Sequence, residues 1–135
     1  MSADIAAHYA AIRALLPAGL QSYSGVVPDT PVYPYVVLWG SPGSEDSEAL
    51  SDDPSTLTLR AYATYAGLSF DSVAITISRV RAVLNRARPT VAGRVTSRLV
   101  QSSQQPIQAD LGVSVPGVGH PFYAVDQYEL ISDPA

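Results

Sequence analysis

Between Thr56 and Tyr65 the chain alternates regularly between apolar and polar positions. The positions of one parity are Leu57, Leu59, Ala61 and Ala63, and those of the other are Thr56, Thr58, Arg60, Tyr62 and Thr64. Alternation with a period of two, in a segment that is rich in threonine and tyrosine, indicates a half-buried β-strand. Because the polar parity carries mostly amphipathic side chains, we expect that face of the strand to contact protein.

A helical pattern follows this strand after Gly67. Apolar residues recur at spacings of three and four, at Phe70, Val73, Ile77, Val80 and Leu84. This spacing places them on one face of an amphipathic helix, and we expect that face to be buried. Ser69 stands where an N-cap is expected. Pro89 ends the pattern, because the residue before a proline is disfavoured in the helical conformation.

A first helix is predicted from Asp4 to Leu16. Its apolar stripe consists of Ile5, Tyr9, Ile12 and Leu16. The alanines between these positions are strong helix formers, and Pro17 with Gly19 ends the helix.

The segment from Tyr35 to Trp39 is apolar without alternation. Such a strand needs cover on both faces of its sheet. Two helices cover only one face of a small sheet, so the other face is left for a neighbouring subunit or a folded-back loop. This segment is the first indication of an oligomer.

Two further strands are predicted, from Arg94 to Ser102 and from Phe122 to Ile131. We expect them to pair antiparallel across a loop from Gln104 to Val118 that is polar, then rich in glycine and proline. The complete prediction is a single α+β domain, residues 1–135. It consists of a small, mainly antiparallel or mixed sheet of four to five strands, with two helices packed on one face.

An acidic stretch, residues 40–55, separates two of the predicted strands. Its acids are Glu45, Asp46, Glu48, Asp52 and Asp53. A calcium loop needs acids at alternating positions, a central glycine and a closing glutamate, and these acids do not follow that spacing. A long, exposed, solvated loop is therefore favoured over a cation site.

Composition narrows the function classes further. The chain has no cysteine and no lysine, and its net charge is −4. Disulfide and thiolate chemistry are excluded, and a general phosphate-binding surface is disfavoured. No apolar run reaches the ~20 residues of a membrane span, and the N-terminus lacks a signal-peptide pattern, so a cytoplasmic origin and no membrane contact are expected.

Catalytic motifs are missing from the sequence. There is no Gly-x-Ser-x-Gly elbow and no Gly-rich phosphate loop with lysine. His8 and His120 do not have the spacing of a metal pair. We therefore expect no enzyme activity, no cofactor and no metal.

Arginines recur on the predicted strands. The parity of the strand that begins at Arg94 places Val95 and Leu99 on one face, with Arg94 and Arg98 on the other. Together with Arg60 and Tyr62, these arginines are candidates for a basic stripe that binds single-stranded nucleic acid. The negative net charge favours the alternative, in which they pair with the acidic loop or with another subunit.

The order of these elements resembles the tail terminator proteins of long-tailed, siphovirus-like bacteriophages. Three stretches carry the resemblance. Residues 32–38 have Pro-Tyr ahead of an apolar strand, residues 58–84 have an alternating strand that runs through a glycine into a helix, and residues 125–130 form a closing strand of similar type. The absence of lysine also suits a phage of a GC-rich host.

The resemblance implies that the protein has a structural role in a virion. Terminators form a homo-hexameric ring at the head-proximal end of the tail, stop growth of the tail tube and join it to the head connector, while genomic DNA passes without specific binding. Assembly takes place in the host cytoplasm. We hypothesise a subunit or tube interface at Tyr35, Val37, Trp39, Arg60, Tyr62, Arg94 and Arg98. We further hypothesise that acids between Glu45 and Asp53 face the channel or a partner, where their charge repels DNA.

Two alternatives stay open. The first is a head-completion, neck or minor tail protein of the same small fold. The second is a small monomeric enzyme or ligand-binding domain, which would need a deep pocket with converging polar groups.

Overall fold

The computed structural model describes residues 4–46 and 56–135. In this part of the chain there are two helices and eight strands. The helices are α1 (Ile5–Arg13) and α2 (Phe70–Leu84). The strands are β1 (Gln21–Ser24), β2 (Tyr35–Gly40), β3 (Ser44–Asp46), β4 (Thr56–Gly67), β5 (Arg94–Thr96), β6 (Val100–Gln104), β7 (Gln108–Ala109) and β8 (Phe122–Pro134).

All eight strands belong to one mixed sheet with the order β1-β2-β4-β8-β5. Its spine is the antiparallel pair of the long strands β4 and β8, whose register runs from Leu57 opposite Ser132 to Gly67 opposite Phe122. β2 and β3 both pair with β4, while β5, β6 and β7 all pair with β8. Only β1 and β2 run parallel, which makes the sheet mixed.

The prediction of a small sheet of four to five strands packed with helices is wrong, because the described chain is mostly sheet. β4 and β8 are twelve and thirteen residues long. Strands of that length offer backbone N–H and C=O groups to several short neighbours. β3, in the predicted acidic loop, pairs with β4, and β7, in the predicted loop of residues 104–118, pairs with β8.

The predicted strand from Arg94 to Ser102 is interrupted in the structure. β5 ends at Thr96, and β6 begins at Val100. Between them, the Leu99 amide donates to the carbonyl oxygen of Ala87 at 2.7 Å, and the Leu99 carbonyl accepts from the Arg86 amide at 2.7 Å. This contact with the chain after α2 draws Leu99 into the core, where it is fully buried.

The core lies between the helices and one face of the sheet. The apolar parity of β4, from Leu57 to Tyr65, is buried against the inner face of α2. Ser69 caps this helix as predicted, its hydroxyl accepting a hydrogen bond from the Ser72 amide at 3.1 Å. Phe70 is the exception to the predicted buried stripe, since its side chain is 53% exposed at the first turn.

Helix α1 is fixed to the same face through a buried histidine. His8 Nδ1 lies 2.6 Å from the carbonyl oxygen of Asp4, and its Nε2 lies 2.8 Å from the Ser132 hydroxyl. Because a carbonyl only accepts, Nδ1 carries the proton, and Nε2 accepts from Ser132. Arg94 Nε donates to the same Ser132 oxygen at 2.9 Å. This chain of hydrogen bonds links α1, β8 and β5.

Candidate functional site

The sheet has a second face, which points away from both helices. We call it the open face. Its central residues are Tyr35, Val37, Trp39, Thr58, Arg60, Tyr62, Thr64, Val125, Gln127, Glu129 and Ile131, with Val95 and Val100 at one edge. The register defines this set, because directly paired residues point to the same side of a sheet. Neither α1 nor α2 covers the open face, since both contribute their buried side chains to the core on the other side.

An aromatic cluster forms one flank of the open face. Trp39 stacks on Tyr62, its partner across β2 and β4, with ring centroids 4.4 Å apart and planes 14° apart. The indole Nε1 donates to the Thr64 hydroxyl at 2.8 Å. The indole is therefore held in place, yet it remains 41% exposed. A rigid exposed tryptophan of this kind is typical of an anchor for a protein partner.

An aliphatic cluster forms the opposite flank, along β5, β6 and the end of β8. Val95, Val100 and Ile131 are 57%, 54% and 43% exposed. Val95 and Val100 belong to strands on the far side of β8 from the Trp39 cluster, and Ile131 lies on β8 itself. Exposed apolar groups on both flanks make the open face a contiguous candidate for a protein contact.

Two opposite charges lie between the flanks. Arg60 on β4 and Glu129 on β8 are direct register partners at the centre of the open face. In the described part of the chain, neither side chain forms a hydrogen bond or an ion pair with another residue. Both charges therefore remain available to groups of an incoming partner.

Tyrosines cluster where β2 begins. The ring of Tyr35 lies 5.4 Å from that of Tyr23 and 5.2 Å from that of Tyr33. Burial, followed by the neighbouring Tyr33, raises the pKa of Tyr35 to about 12. An open cavity of about 410 Å³ adjoins this cluster, bounded by residues 27–31 on one side and 113–116 on the other. Its lining is apolar and phenolic, and its one carboxylate belongs to Asp29.

The structure brings together five of the seven residues predicted for an interface. They are Tyr35, Val37, Trp39, Arg60 and Tyr62, which all lie on the open face. Val37 is nevertheless buried, so it supports the surface from within.

The other two predicted interface residues lie elsewhere. Arg94 points to the helix side, where its Nη2 donates to the Ser132 carbonyl at 2.7 Å. Arg98 lies beyond the end of β5 and donates to the carbonyl of Arg86 at 2.9 Å. The predicted parity is wrong, because the strand is interrupted at residues 97–99, and Val95 is exposed while Leu99 is buried. The two arginines form no stripe with Arg60.

The predicted acidic loop is only partly within the described residues. Ser44–Asp46 form β3, so Glu45 and Asp46 lie on a strand. Glu45 is the register partner of Leu57 on β4. Glu48, Asp52 and Asp53 lie outside the described residues.

Sequence reasoning missed the β8 half of the open face. The alternation in the predicted strand from Phe122 to Ile131 could have identified this half. The buried residues of the strand share one parity; they are Ala124, Asp126, Tyr128 and Leu130. The opposite parity contains Glu129 and Ile131, which therefore belong to the exposed side. No sequence pattern predicts that Val100 lies on the open face, because its orientation depends on the interruption of the strand before β6.

Several polar groups inside the fold bind one another. Asp126 accepts hydrogen bonds from Tyr65, Arg81 and Gln101. Across residues 4–46 and 56–135, no group of three or more histidine, aspartate or glutamate side chains is placed to hold a metal ion. No helix in the same ranges is long and apolar enough to cross a membrane.

Neither a protein-family profile nor a curated protein matches this chain. Among solved structures, a chain of the virion of a native gene transfer agent (GTA) particle matches with a TM-score of 0.54 and 17% sequence identity. The alignment covers 96% of this chain and 94% of that chain. The likeness shows a fold shared over nearly the full length of both chains.

Proposed function

We propose that this chain is a structural virion protein that assembles with other virion proteins through its open face. The observation that carries the proposal is the exposed Trp39–Tyr62 stack on a sheet face that neither helix covers. A surface that combines a fixed tryptophan with exposed aliphatic flanks gains free energy when a protein partner removes it from water.

The fold comparison supports this assignment. The chain with which this protein shares its fold belongs to a gene transfer agent virion. The shared fold covers nearly all of both chains. A building block of a particle needs surfaces for its neighbours, and the open face supplies one.

Within the virion, we assign the chain to the tail terminator. In this role six copies form a ring at the head-proximal end of the tail, which caps the tail tube and offers a joining surface to the head connector. The support is the resemblance in residues 32–38, 58–84 and 125–130. Two of those stretches contain β4 and β8 residues that build the spine of the sheet. DNA passes through the ring without specific contacts.

The proposed work is structural and not catalytic. Arg81 forms an ion pair with the buried Asp126; Tyr65 also donates a hydrogen bond to Asp126, and Arg81 donates one to Gln104. Such a network stabilises the packing of α2 on the sheet. It does not present a reactive group to a substrate.

The decisive experiment is a tube-capping assay. Purified tail tube protein is polymerised with and without this protein, and tube lengths are measured by electron microscopy. A terminator shortens the tubes in proportion to its concentration and forms a six-fold ring at one tube end. Particles assembled without the protein are expected to carry tails of uneven, excessive length.

A pair of variants tests the role of the open face. Tyr62→Ala removes half of the aromatic stack, while Ile75→Ala removes an exposed apolar side chain from the solvent side of α2. We expect Tyr62→Ala to lose capping and Ile75→Ala to retain it. Unchanged tube lengths with the wild-type protein would contradict the terminator assignment. Binding to the head connector without binding to the tube would instead favour a neck protein.

A further inference from the structure

The open face is self-complementary, and this property has a consequence for the protein before assembly. We propose that a second copy of this chain covers the open face of the free protein, in a dimer whose two-fold axis runs parallel to β4 and β8. The pairing concerns the free protein and is separate from the ring formed in the particle.

The central charges determine the direction of the axis. Arg60 and Glu129 are neighbours across β4 and β8. When two open faces meet about an axis parallel to the strands, β4 of one copy lies over β8 of the other. Arg60 of each copy then lies opposite the partner's Glu129, since a two-fold axis makes every contact twice. An axis perpendicular to the strands would place Arg60 on the partner's Arg60, which is repulsive.

The same operation exchanges the two flanks. The Trp39 cluster lies on the β2 side of the sheet, and the aliphatic cluster lies on the β5 and β6 side. The axis keeps each residue's position along the strands, so Tyr62 of one copy lies over the partner's Gln127, and Thr58 lies over the partner's Ile131. Trp39, which is level with Tyr62, lies over the β6 edge of the partner. The partner's sheet thus covers exposed apolar groups of both flanks.

The open face is large enough for a stable pair. Five neighbouring strands at about 4.8 Å each span about 24 Å across the sheet. The twelve residues of β4, at about 3.3 Å each, extend about 40 Å along it. Because β1 and β5 contain only four and three residues, the face is smaller than this rectangle. It is still of the order of the roughly 800 Å² that each partner contributes to a standard interface. Sheets that pack face to face align within about 30°, which agrees with strands that run parallel to the axis.

Burial of the charges makes the pairing specific. A charge that is covered without an opposite partner carries a desolvation cost that is not compensated. In the proposed dimer both charges of each copy are paired, so the arrangement with correct register is favoured over a shifted one. The Arg60 and Glu129 side chains are available for this role, because neither has a partner within the described part of its own chain.

Charge-reversal variants test the dimer by light scattering over a range of concentrations. The wild-type protein is expected to have about twice the 14.3 kDa subunit mass. Arg60→Glu and Glu129→Arg, each alone, place like charges opposite each other and are expected to raise the dissociation constant about tenfold or more. The double variant restores the dimer. Arg88→Glu, which makes the same charge change on an exposed residue after α2, serves as the control and leaves the dimer unchanged.

Mixing the two single variants gives the sharpest result. One copy then has two acids at these positions and the other two arginines, so the mixture regains a dimer that contains one chain of each kind. A wild-type monomer at all concentrations, or a dimer that Arg60→Glu leaves intact, would overturn the proposal. A wild-type particle of six copies would also overturn it while supporting the ring. The tube-capping assay tests the proposed function separately, because it measures tube length and not the mass of the free protein.

Discussion

Arg81 holds the buried carboxylate of Asp126 through two hydrogen bonds, from Nε at 2.8 Å and from Nη2 at 2.7 Å. Asp126 is 2% exposed, and it also accepts from the Tyr65 hydroxyl at 2.7 Å. The Asp126 hydrogen bond raises the pKa of Arg81, so the guanidinium remains charged. This two-point contact joins α2 to β8 inside the fold.

We predict that removing one member of this pair lowers the stability of the fold more than replacing both members. Arg81→Ala leaves the Asp126 charge buried without its cation and is expected to lower the free energy of unfolding by about 3–5 kcal/mol. Replacement of both residues by apolar ones, Arg81→Met with Asp126→Leu, is expected to recover much of that loss. Urea unfolding followed by circular dichroism measures both variants, and Arg88→Ala is the control. Equal losses in the single and double variants would contradict this account.

Alkaline pH is predicted to unfold the protein through its buried phenols. Burial raises the pKa of Tyr9 from 10.0 to about 12 and raises that of Tyr65 further. A raised folded-state pKa means that the folded chain binds more protons than the unfolded chain above pH 10, so stability falls as the pH rises. Stability from Tyr9 is fully present below pH 10 and is lost towards pH 12.

The measurement is thermal unfolding at stepped pH, with phenolate absorbance recorded in parallel. Tyr9→Phe removes one of these groups and is expected to flatten the decline between pH 10 and 12. A decline of unchanged slope in Tyr9→Phe would exclude that residue as a cause.

We predict that Gly40 cannot be replaced without loss of stability, because there is no room for a side chain at this position. A Cβ at this position would lie 2.5 Å from the Arg60 carbonyl oxygen and would also collide with the Tyr9 hydroxyl. Gly40→Ala is therefore expected to cost roughly 1–3 kcal/mol in urea unfolding. Gly112→Ala is the matched control, since the nearest atom to its Cβ is the Asp110 carboxylate at 3.5 Å. Similar stability of the two variants would show that the β2 edge moves easily.

The buried histidine gives a fourth prediction. His8→Leu places an apolar side chain under α1 but leaves the buried Ser132 hydroxyl without its acceptor, while the Asp4 carbonyl keeps the backbone amide of residue 8 as a donor. An unsatisfied buried polar group costs about 1–3 kcal/mol, and we expect a loss of stability in that range. His8→Leu combined with Ser132→Ala is expected to lose less than the sum of the single variants. Additive losses would show that the two side chains do not act together.

Local patterns were sufficient for the elements whose burial depends on their own sequence. The alternation from Leu57 to Ala63 predicts the buried side of β4, and the spacing from Val73 to Leu84 predicts α2. Phe70 fits the spacing but precedes the region where α2 packs on the sheet. The exposure of the Phe70 side chain therefore could not be predicted from the periodicity of the sequence.

The remaining strands depend on partners that are distant in sequence. β3 and β7 contain three and two residues, too few for any alternation, and form because β4 and β8 offer free backbone groups beside them. The β4 alternation predicts that Arg60 and Tyr62 share one face of the strand, and the structure has both on the open face. The position of Arg98 depends on Leu99 binding the chain after α2, and that of Arg94 depends on Ser132 on β8. No local pattern encodes either contact.

The ladder between β4 and β8 also sets the order in which a newly made chain reaches its final shape. Every register pair of this ladder, from Leu57–Ser132 to Gly67–Phe122, joins positions more than about 50 residues apart. Contacts of such separation form slowly, because the intervening chain must first be brought into a closed loop. During synthesis β4 leaves the ribosome long before β8 exists, and its edge stays unpaired for that interval. Nascent chains are therefore expected to depend on chaperones at this stage, when fibrous aggregation competes with productive folding.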